Sequence, residues 1–138
     1  MLALAFGALK QKRDALMWAQ NLDNNQIDIR EGSPPEFLPE LARNWFEREM
    51  GSSFDQVIKL NVFERQLEDG EMRHFRRLGE LEELNISRSN VTDAHLANLA
   101  GCTELRLLKL YGNEVNGSGL SHLKRLTKLE SLQINKSG

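Results

Sequence analysis

The stretch "LEELNISRSNVTDAHLANLAGCTE" occupies residues 81–104, and "LRLLKLYGNEVNGSGLSHLKRLTK" follows it at residues 105–128. Their apolar residues coincide at a constant offset of 24, although most residues between them differ. The pairs are Leu81 with Leu105, Leu84 with Leu108, Ile86 with Leu110, Val91 with Val115, Leu96 with Leu120 and Leu99 with Leu123. The offset extends both ways, giving units at 57–80, 81–104, 105–128 and a partial unit at 129–138. A fixed period of this length predicts a stack of similar units.

Each unit combines two hydrophobic periods. The segments "LNI", "LKL" and "LQI" alternate apolar and polar residues, which is typical of a half-buried strand. Later apolar residues, such as Leu96, Leu99 and Cys102, are spaced by three, which suits a helix or a tighter helical turn. Neither layer can bury its apolar face alone. Stacking therefore predicts one parallel sheet, with strands near 58–62, 82–86, 106–110 and 130–134, helices on the other side, and a leucine core between them.

Residues 57–138 resemble the leucine-rich-repeat family. Their units follow L-x-x-L-x-L with Leu or Ile at the last position, except that Val57 and Val62 replace Leu in the first unit. The resemblance implies an α/β fold: a right-handed leucine-rich-repeat solenoid with a parallel sheet on one side and helices on the other, preceded by an α+β N-terminal cap.

The segment "SNVTDAHLANLAGCTEL" is similar to a bacterial subclass with repeats of the form L-x-x-L-x-L-x-x-T-x-V-T-D-A-G-L. The subclass residues Thr92, Asp93 and Ala94 are present, whereas His95 stands in place of Gly. Gly119 restores that glycine one unit later. Two further positions depart from the subclass, which prefers Thr where this chain has Ser89 and Asn113.

Residues 1–56 show no 24-residue periodicity and are predicted to form the cap of the first unit. "ALKQKRDALMWAQNL" predicts a helix, "QIDI" a short strand beside residues 57–62, and "EGSPPEFLP" a loop with three prolines. "PELARNWFEREMG" predicts a second helix, with Pro39 near its start and Gly51 past its end. We expect Leu41, Trp45 and Phe46 to cover the open end of the core.

Composition restricts the class of partner and the compartment. A net charge of −2 gives no bulk attraction to nucleic acid, so no nucleic-acid partner is expected. One cysteine excludes an intrachain disulfide, which favours a cytoplasmic or membrane-anchored protein over a disulfide-rich secreted domain. "MLALAFGAL" precedes the basic "KQKR" and is either the start of an amphipathic helix or the end of an upstream membrane anchor, which would place the domain near a membrane.

The sheet face that points away from the core is the predicted binding surface. Its residues do not repeat chemically, although the core beneath them does, and positions without packing demands are where recognition residues occur. Phe63, Leu107 and Tyr111 are apolar on a face that requires no apolar residue, which favours an interface. The alternative is that the cap hides Phe63 and that Tyr111 packs on its neighbour. The predicted protein-binding residues are Lys59, Asn61, Phe63, Glu83, Asn85, Leu107, Lys109, Tyr111 and Gln133.

No arrangement of residues predicts an enzyme, a metal site or a cofactor. His74 and His122 share a repeat position but lie two units apart, about 10 Å or more, which is too far for one metal ion. Asp93 and His95, two residues apart in a helical turn, point to different faces and are not expected to form a catalytic pair. Cys102 occupies a core position and is predicted to be a buried, unreactive thiol.

The sequence thus predicts a non-catalytic module that binds a protein ligand of unknown identity through its exposed sheet face. A structural alternative is a cap and spacer of a longer, membrane-anchored repeat protein. The last strand has no helical layer after it within residues 129–138, so fraying or self-association through this open end is also expected.

Overall fold

Strands and short helices alternate along the chain. The computed structural model describes residues 2–22, 26–32, 40–41, 43–44, 48 and 56–135. We label its α-helices α, its strands β and its 3-10 helices η. The elements are α1 (Leu2–Gln20), β1 (Gln26–Arg30), β2 (Gln56–Phe63), α2 (Asp69–Met72), η1 (Arg73–Arg77), β3 (Glu83–Ser87), η2 (Asp93–Gly101), β4 (Leu107–Tyr111), η3 (Ser118–Arg125) and β5 (Ser131–Asn135).

The five strands form one sheet in the order β1-β2-β3-β4-β5. Strands β2 to β5 are parallel, and their register places Leu60, Leu84, Leu108 and Leu132 side by side, each 24 residues after the last. β1 joins the edge antiparallel to β2, with a register shift between Asp28 and Ile29. The predicted order and direction of the four repeat strands and the added "QIDI" strand are confirmed, and the fold is α/β with a mostly parallel sheet.

The core lies between the sheet and the helical layer. The apolar residues of the alternating strand pattern are fully buried in the second and third units, with Leu84 at 1% and Ile86, Leu108 and Leu110 at 0% exposure. Residues of the helical layer meet them from the other side. The buried members of that layer include Met72, Phe75, Leu96, Leu99, Cys102 and Leu123.

Neighbouring 3-10 helices approach so closely that glycine is required at two contact points, Gly101 against Arg76 and Gly119 against Asp93. A Cβ atom added to Gly119 would lie 2.3 Å from the backbone oxygen of Asp93, where no side-chain atom fits. The apolar spacing of three residues matches the three residues per turn of a 3-10 helix, and this explains why η2 and η3 adopt it over most of their length.

Helix α1 covers the first unit. Ala15, Leu16 and Ala19 are at most 1% exposed, and the Trp18 ring meets Phe75 edge-on at a centroid distance of 5.1 Å. No helix among the described residues combines the length and apolarity needed to cross a bilayer.

The expected role of the second cap helix differs from what is observed. The described residues of that segment, 40–41, 43–44 and 48, are helical, but Leu41 is 85% exposed and does not cover the core. Trp45, Phe46 and the proline loop lie outside the described residues. Among the described residues, α1 packs on the first unit where Leu41 does not.

A turn with a left-handed backbone follows each of the first three repeat strands. Glu64, Arg88 and Gly112 occupy equivalent positions with φ of 50°, 53° and 63°. Their N–H groups donate to the carbonyl oxygens of Ser87, Tyr111 and Asn135 at 3.0, 2.8 and 2.7 Å, which are the ends of the neighbouring strands. Each turn therefore fixes the position of the next unit.

Asn113 links two units through its buried amide. Its Oδ1 accepts hydrogen bonds from the N–H groups of Ser89 and Val91 at 2.9 and 3.2 Å, and its Nδ2 donates to the carbonyl oxygens of Ile86 and Tyr111 at 2.7 and 3.2 Å. One unit earlier, Ser89 takes the same position, and its hydroxyl donates to the Ser87 carbonyl oxygen at 2.9 Å. The Ser89 hydroxyl oxygen also accepts a hydrogen bond from the N–H of Arg65 in the preceding unit at 3.4 Å, so both positions supply polar contacts between turns.

Candidate protein-binding face

The predicted binding residues form columns on the outer face of the sheet. Register pairs Lys59 with Glu83, Glu83 with Leu107, Asn61 with Asn85, Asn85 with Lys109, and Lys109 with Gln133. All of these side chains are partly exposed. The structure therefore brings the predicted residues onto one surface, which we call the outer face.

The two lysines of the outer face differ in their ion pairing. The ammonium of Lys59 lies 3.0 Å from the Glu83 carboxylate and 3.9 Å from that of Asp28. The hydrogen bond to Glu83 and the field of its charge raise the pKa of Lys59. Lys109 has no ion-pair partner in the part of the chain that the structure describes. The positive charge of Lys109 is thus available to a ligand.

An aromatic groove lies where the strands of the outer face end. Phe63, Ser87 and Tyr111 line it with the following turn residues Glu64, Arg88 and Gly112, and its volume is about 300 Å³. Phe63 is 45% exposed and Tyr111 36% exposed. The alternative requires a hidden Phe63, whereas nearly half of its surface is exposed. Two aromatic side chains face solvent on either side of the small Ser87.

Hydrogen bonds hold the groove in shape. The Tyr111 hydroxyl donates to Oε1 of Gln133 on the adjacent strand, so that Tyr111 does contact its neighbour while its ring stays accessible. The Ser87 hydroxyl donates to Oδ1 of Asn85 at 2.7 Å. At the rim, Arg88 and Glu64 form an exposed ion pair at 2.8 Å. Fixed side chains lose less conformational entropy when a ligand binds.

The turn residues Glu64, Arg88 and Gly112 were not predicted as groove residues. A signal exists, because the turn residues recur every 24 residues directly after the strands, and the last of them is a glycine. Residues with φ above zero favour glycine. Gly112 at an aligned turn thus indicates the left-handed backbone that the other two residues share.

Asp93 and His95 are not brought together as a reactive pair. The Asp93 carboxylate accepts hydrogen bonds from the N–H groups of Asn116 at 2.8 Å, Gly117 at 3.1 Å and Gly119 at 2.6 Å. The bond from Asn116, followed by that from Gly119, lowers the pKa of Asp93. Asp93 therefore anchors the loop of the next unit as a carboxylate.

His95 contacts the unit before it. Its Nδ1 accepts a hydrogen bond from the N–H of Thr92, the N-cap residue of η2, at 3.2 Å, and its Nε2 lies 2.9 Å from Oδ1 of Asp69. A backbone N–H only donates, so Nε2 carries the proton of the neutral ring and donates to Asp69. Both nitrogens are thereby used in structural contacts.

Other candidate chemical groups are also engaged in packing. His74 stacks on Trp18 at a centroid distance of 5.2 Å. Cys102 is buried, its thiol donates to the Phe75 carbonyl oxygen at 3.2 Å, and burial raises its pKa to about 12. Among the described residues, no group of three or more His, Cys, Asp or Glu side chains is placed to hold a metal ion.

The last described strand carries exposed apolar residues. Leu132 and Ile134 are 39% and 36% exposed, although their equivalents Leu108 and Leu110 are fully buried. Among the described residues, the apolar side chains of β5 are therefore less covered than those of β3 and β4. Self-association through this surface stays a prediction.

The chain was compared with known protein families, curated proteins and solved structures. No protein family model, no curated protein and no solved structure matches it significantly.

Proposed function

We propose that the chain is a leucine-rich-repeat solenoid segment that binds a protein partner through its outer face and has no catalytic role. One observation carries the proposal: the outer face presents Phe63, Leu107 and Tyr111 beside polar residues, over a core that does not need them. Aromatic and apolar anchors with a polar surround are typical of binding surfaces.

Rigidity supports the same function. The outer side chains project from strands whose core-facing residues, such as Leu84 and Leu108, are buried, and whose ends are tied by the turn hydrogen bonds. A ligand that contacts this surface therefore meets side chains whose backbone is already fixed. Such preorganisation lowers the entropic cost of association.

A structural spacer is the second candidate function. It is favoured by contacts within the outer face itself, where Lys59 pairs with Glu83 and Tyr111 bonds to Gln133. Side chains that satisfy one another contribute less to a partner. In this case the module would serve to extend and cap a repeat array.

Two matched variants test the binding function. A display library of random 12-residue peptides is panned against the folded chain, and selected peptides are measured against Leu107→Lys and Leu120→Lys. Leu107 lies on the outer face, whereas Leu120 is an exposed residue of η3 in the helical layer. We expect Leu107→Lys to weaken binding about tenfold or more, as at an interface hot spot, and Leu120→Lys to leave it unchanged.

Two other outcomes have defined meanings. Peptides that respond to Leu120→Lys alone contradict binding at the outer face. Failure to select any peptide above background contradicts the binding function and favours the spacer.

A further inference from the structure

The aromatic groove is wide enough at its backbone to admit a single flat side chain between Phe63 and Tyr111. Strands in a sheet lie about 4.8 Å apart, so the backbones of Phe63 and Tyr111, two strands apart across Ser87, are separated by about 10 Å. Carbon atoms in contact lie about 3.5–4 Å apart, so a group held between two such rings needs a gap of about 7–8 Å between their planes. Ser87 is small enough to leave that gap open.

Charges at the groove favour an aromatic group over a cation. Lys109 lies on the same strand and face as Tyr111, two residues before it, and Arg88 is at the rim. The carboxylate of Glu64 already pairs with Arg88. A guanidinium or ammonium would meet the positive charge of Lys109 there, which is unpaired among the described residues, whereas an uncharged ring gains stacking or edge-to-face contacts with both walls.

Lys109 specifies a second group on the ligand. It is partly buried and has no ion-pair partner among the described residues, so a carboxylate would find an unshared charge. Residues two apart on a strand project from the same face about 6.6–6.8 Å from each other. An extended peptide has the same spacing between residues i and i+2. Ring and carboxylate would thus reach the groove and Lys109 together.

We propose that the outer face recognises an extended peptide carrying an aromatic residue and a carboxylate two positions apart, with the ring between Phe63 and Tyr111 and the carboxylate on Lys109. This inference rests on the proposed binding function and names the chemistry of the partner. A peptide lying antiparallel to β4 presents aromatic-x-acid, and a parallel one presents acid-x-aromatic.

The test uses capped heptapeptides and the full chain labelled with 15N. The probes are Gly-Ser-Phe-Thr-Glu-Ser-Gly and its reversed order, and the controls replace Phe by Ala or Glu by Lys. We expect amide shifts at Ser87, Lys109 and Tyr111 with at least one probe, and a dissociation constant of about 0.1–1 mM for so short a ligand. The Ala control should bind about tenfold more weakly.

Charge reversal makes the assignment specific. Lys109→Glu should bind the Lys peptide at least about threefold more tightly than the Glu peptide, reversing the order seen with the parent chain. Lys124→Glu, an equivalent reversal on η3, should leave that order unchanged. Amide spectra of both variants report whether the fold is retained.

Each alternative result has one interpretation. Equal binding of the Phe and Ala peptides, an unreversed order in Lys109→Glu, or no shift with either probe overturns this inference. If library peptides without the aromatic and acidic pair still bind and respond to Leu107→Lys, the inference fails while binding at the outer face stands. If no library peptide responds to Leu107→Lys, the proposed function fails as well.

Discussion

Replacing Asn113 by alanine removes a buried connection between two units. The side chain is 5% exposed, and its Oδ1 is the acceptor for the N–H groups of Ser89 and Val91, both of which belong to buried residues. The alanine leaves these two donors without their acceptor and the Ile86 carbonyl oxygen without one of its donors. The defect therefore lies inside the protein, where water replaces lost partners poorly.

The expected loss follows from the number of unpaired groups. A buried donor that loses its acceptor costs about 1–3 kcal/mol, so two donors give a loss of about 2–6 kcal/mol in the free energy of unfolding. A domain is stable by only about 5–15 kcal/mol, which makes this a large fraction. Asn61→Ala is the matched control, because Asn61 lies partly exposed on the outer face, and it should change stability by less than about 0.5 kcal/mol.

Asn113→Asp separates hydrogen bonding from shape. The carboxylate keeps an acceptor for both N–H groups but directs its other oxygen at the Ile86 carbonyl, 2.7 Å from the present Nδ2. Only the protonated acid can donate there, and burial also opposes the charge, so the folded-state pKa should rise above the ordinary value of about 3.9. The protonated form of the introduced acid then stabilises the fold below its unfolded-state pKa, and this stabilisation is lost as the pH rises through its folded-state pKa.

Urea titrations at several pH values measure both effects. The difference in unfolding free energy between Asn113→Asp and the parent chain isolates the new group from the other titrating residues. We expect this difference to become more destabilising as pH rises from about 3 to 7. A difference that is constant or moves the other way, or a loss below about 1 kcal/mol in Asn113→Ala, would refute the role assigned to the amide.

Three further predictions concern the core, the helical layer and the cap. Leu108→Ala should cost about 2–5 kcal/mol, whereas Leu107→Ala, the same change on the opposite face, should cost about 1 kcal/mol or less; equal urea midpoints would mean that the faces are misassigned. Gly119→Ala should cost about 1–3 kcal/mol because its Cβ would lie 2.3 Å from a backbone oxygen, while Gly70→Ala, with open space around it, should be neutral or stabilising; equal melting temperatures would contradict this. Burial disfavours the charge on Glu71, but hydrogen bonds led by the one from an arginine outweigh it and lower the pKa. This stabilisation is therefore present above the unfolded pKa of about 4.3 and is lost as pH falls through the folded pKa; Glu71→Gln should reduce the acid sensitivity of α1 amide exchange, and an unchanged profile would argue against it.

The sequence by itself determined the strand register and the two faces of the sheet. Leu84, Leu108 and Leu132 recur every 24 residues, and the alternation around them assigns each residue to the core or to solvent. These properties depend on local periodicity, which a single chain displays directly. The outer-face residues were predicted for the same reason, since they are the neighbours of the core leucines.

Identification of the cap residues needed the tertiary structure. Two amphipathic segments precede the first unit, and both carry apolar residues suited to cover it. The structure uses Leu16 of α1, which is 1% exposed, and leaves Leu41 exposed. Packing between segments more than 50 residues apart in sequence decides this choice, as in the hydrogen bond from Trp18 to Glu71 at 3.2 Å.

The groove and the polar contacts between units also appear only in three dimensions. Asn113, Asp93 and His95 each resemble ordinary turn or helix residues in the sequence, yet each bonds to a group 26 or 27 positions away. The gap between Phe63 and Tyr111 exists because the parallel register sets two rings on alternate strands with a serine between them. A one-dimensional period fixes which residues repeat, whereas the distance between strands decides which side chains meet.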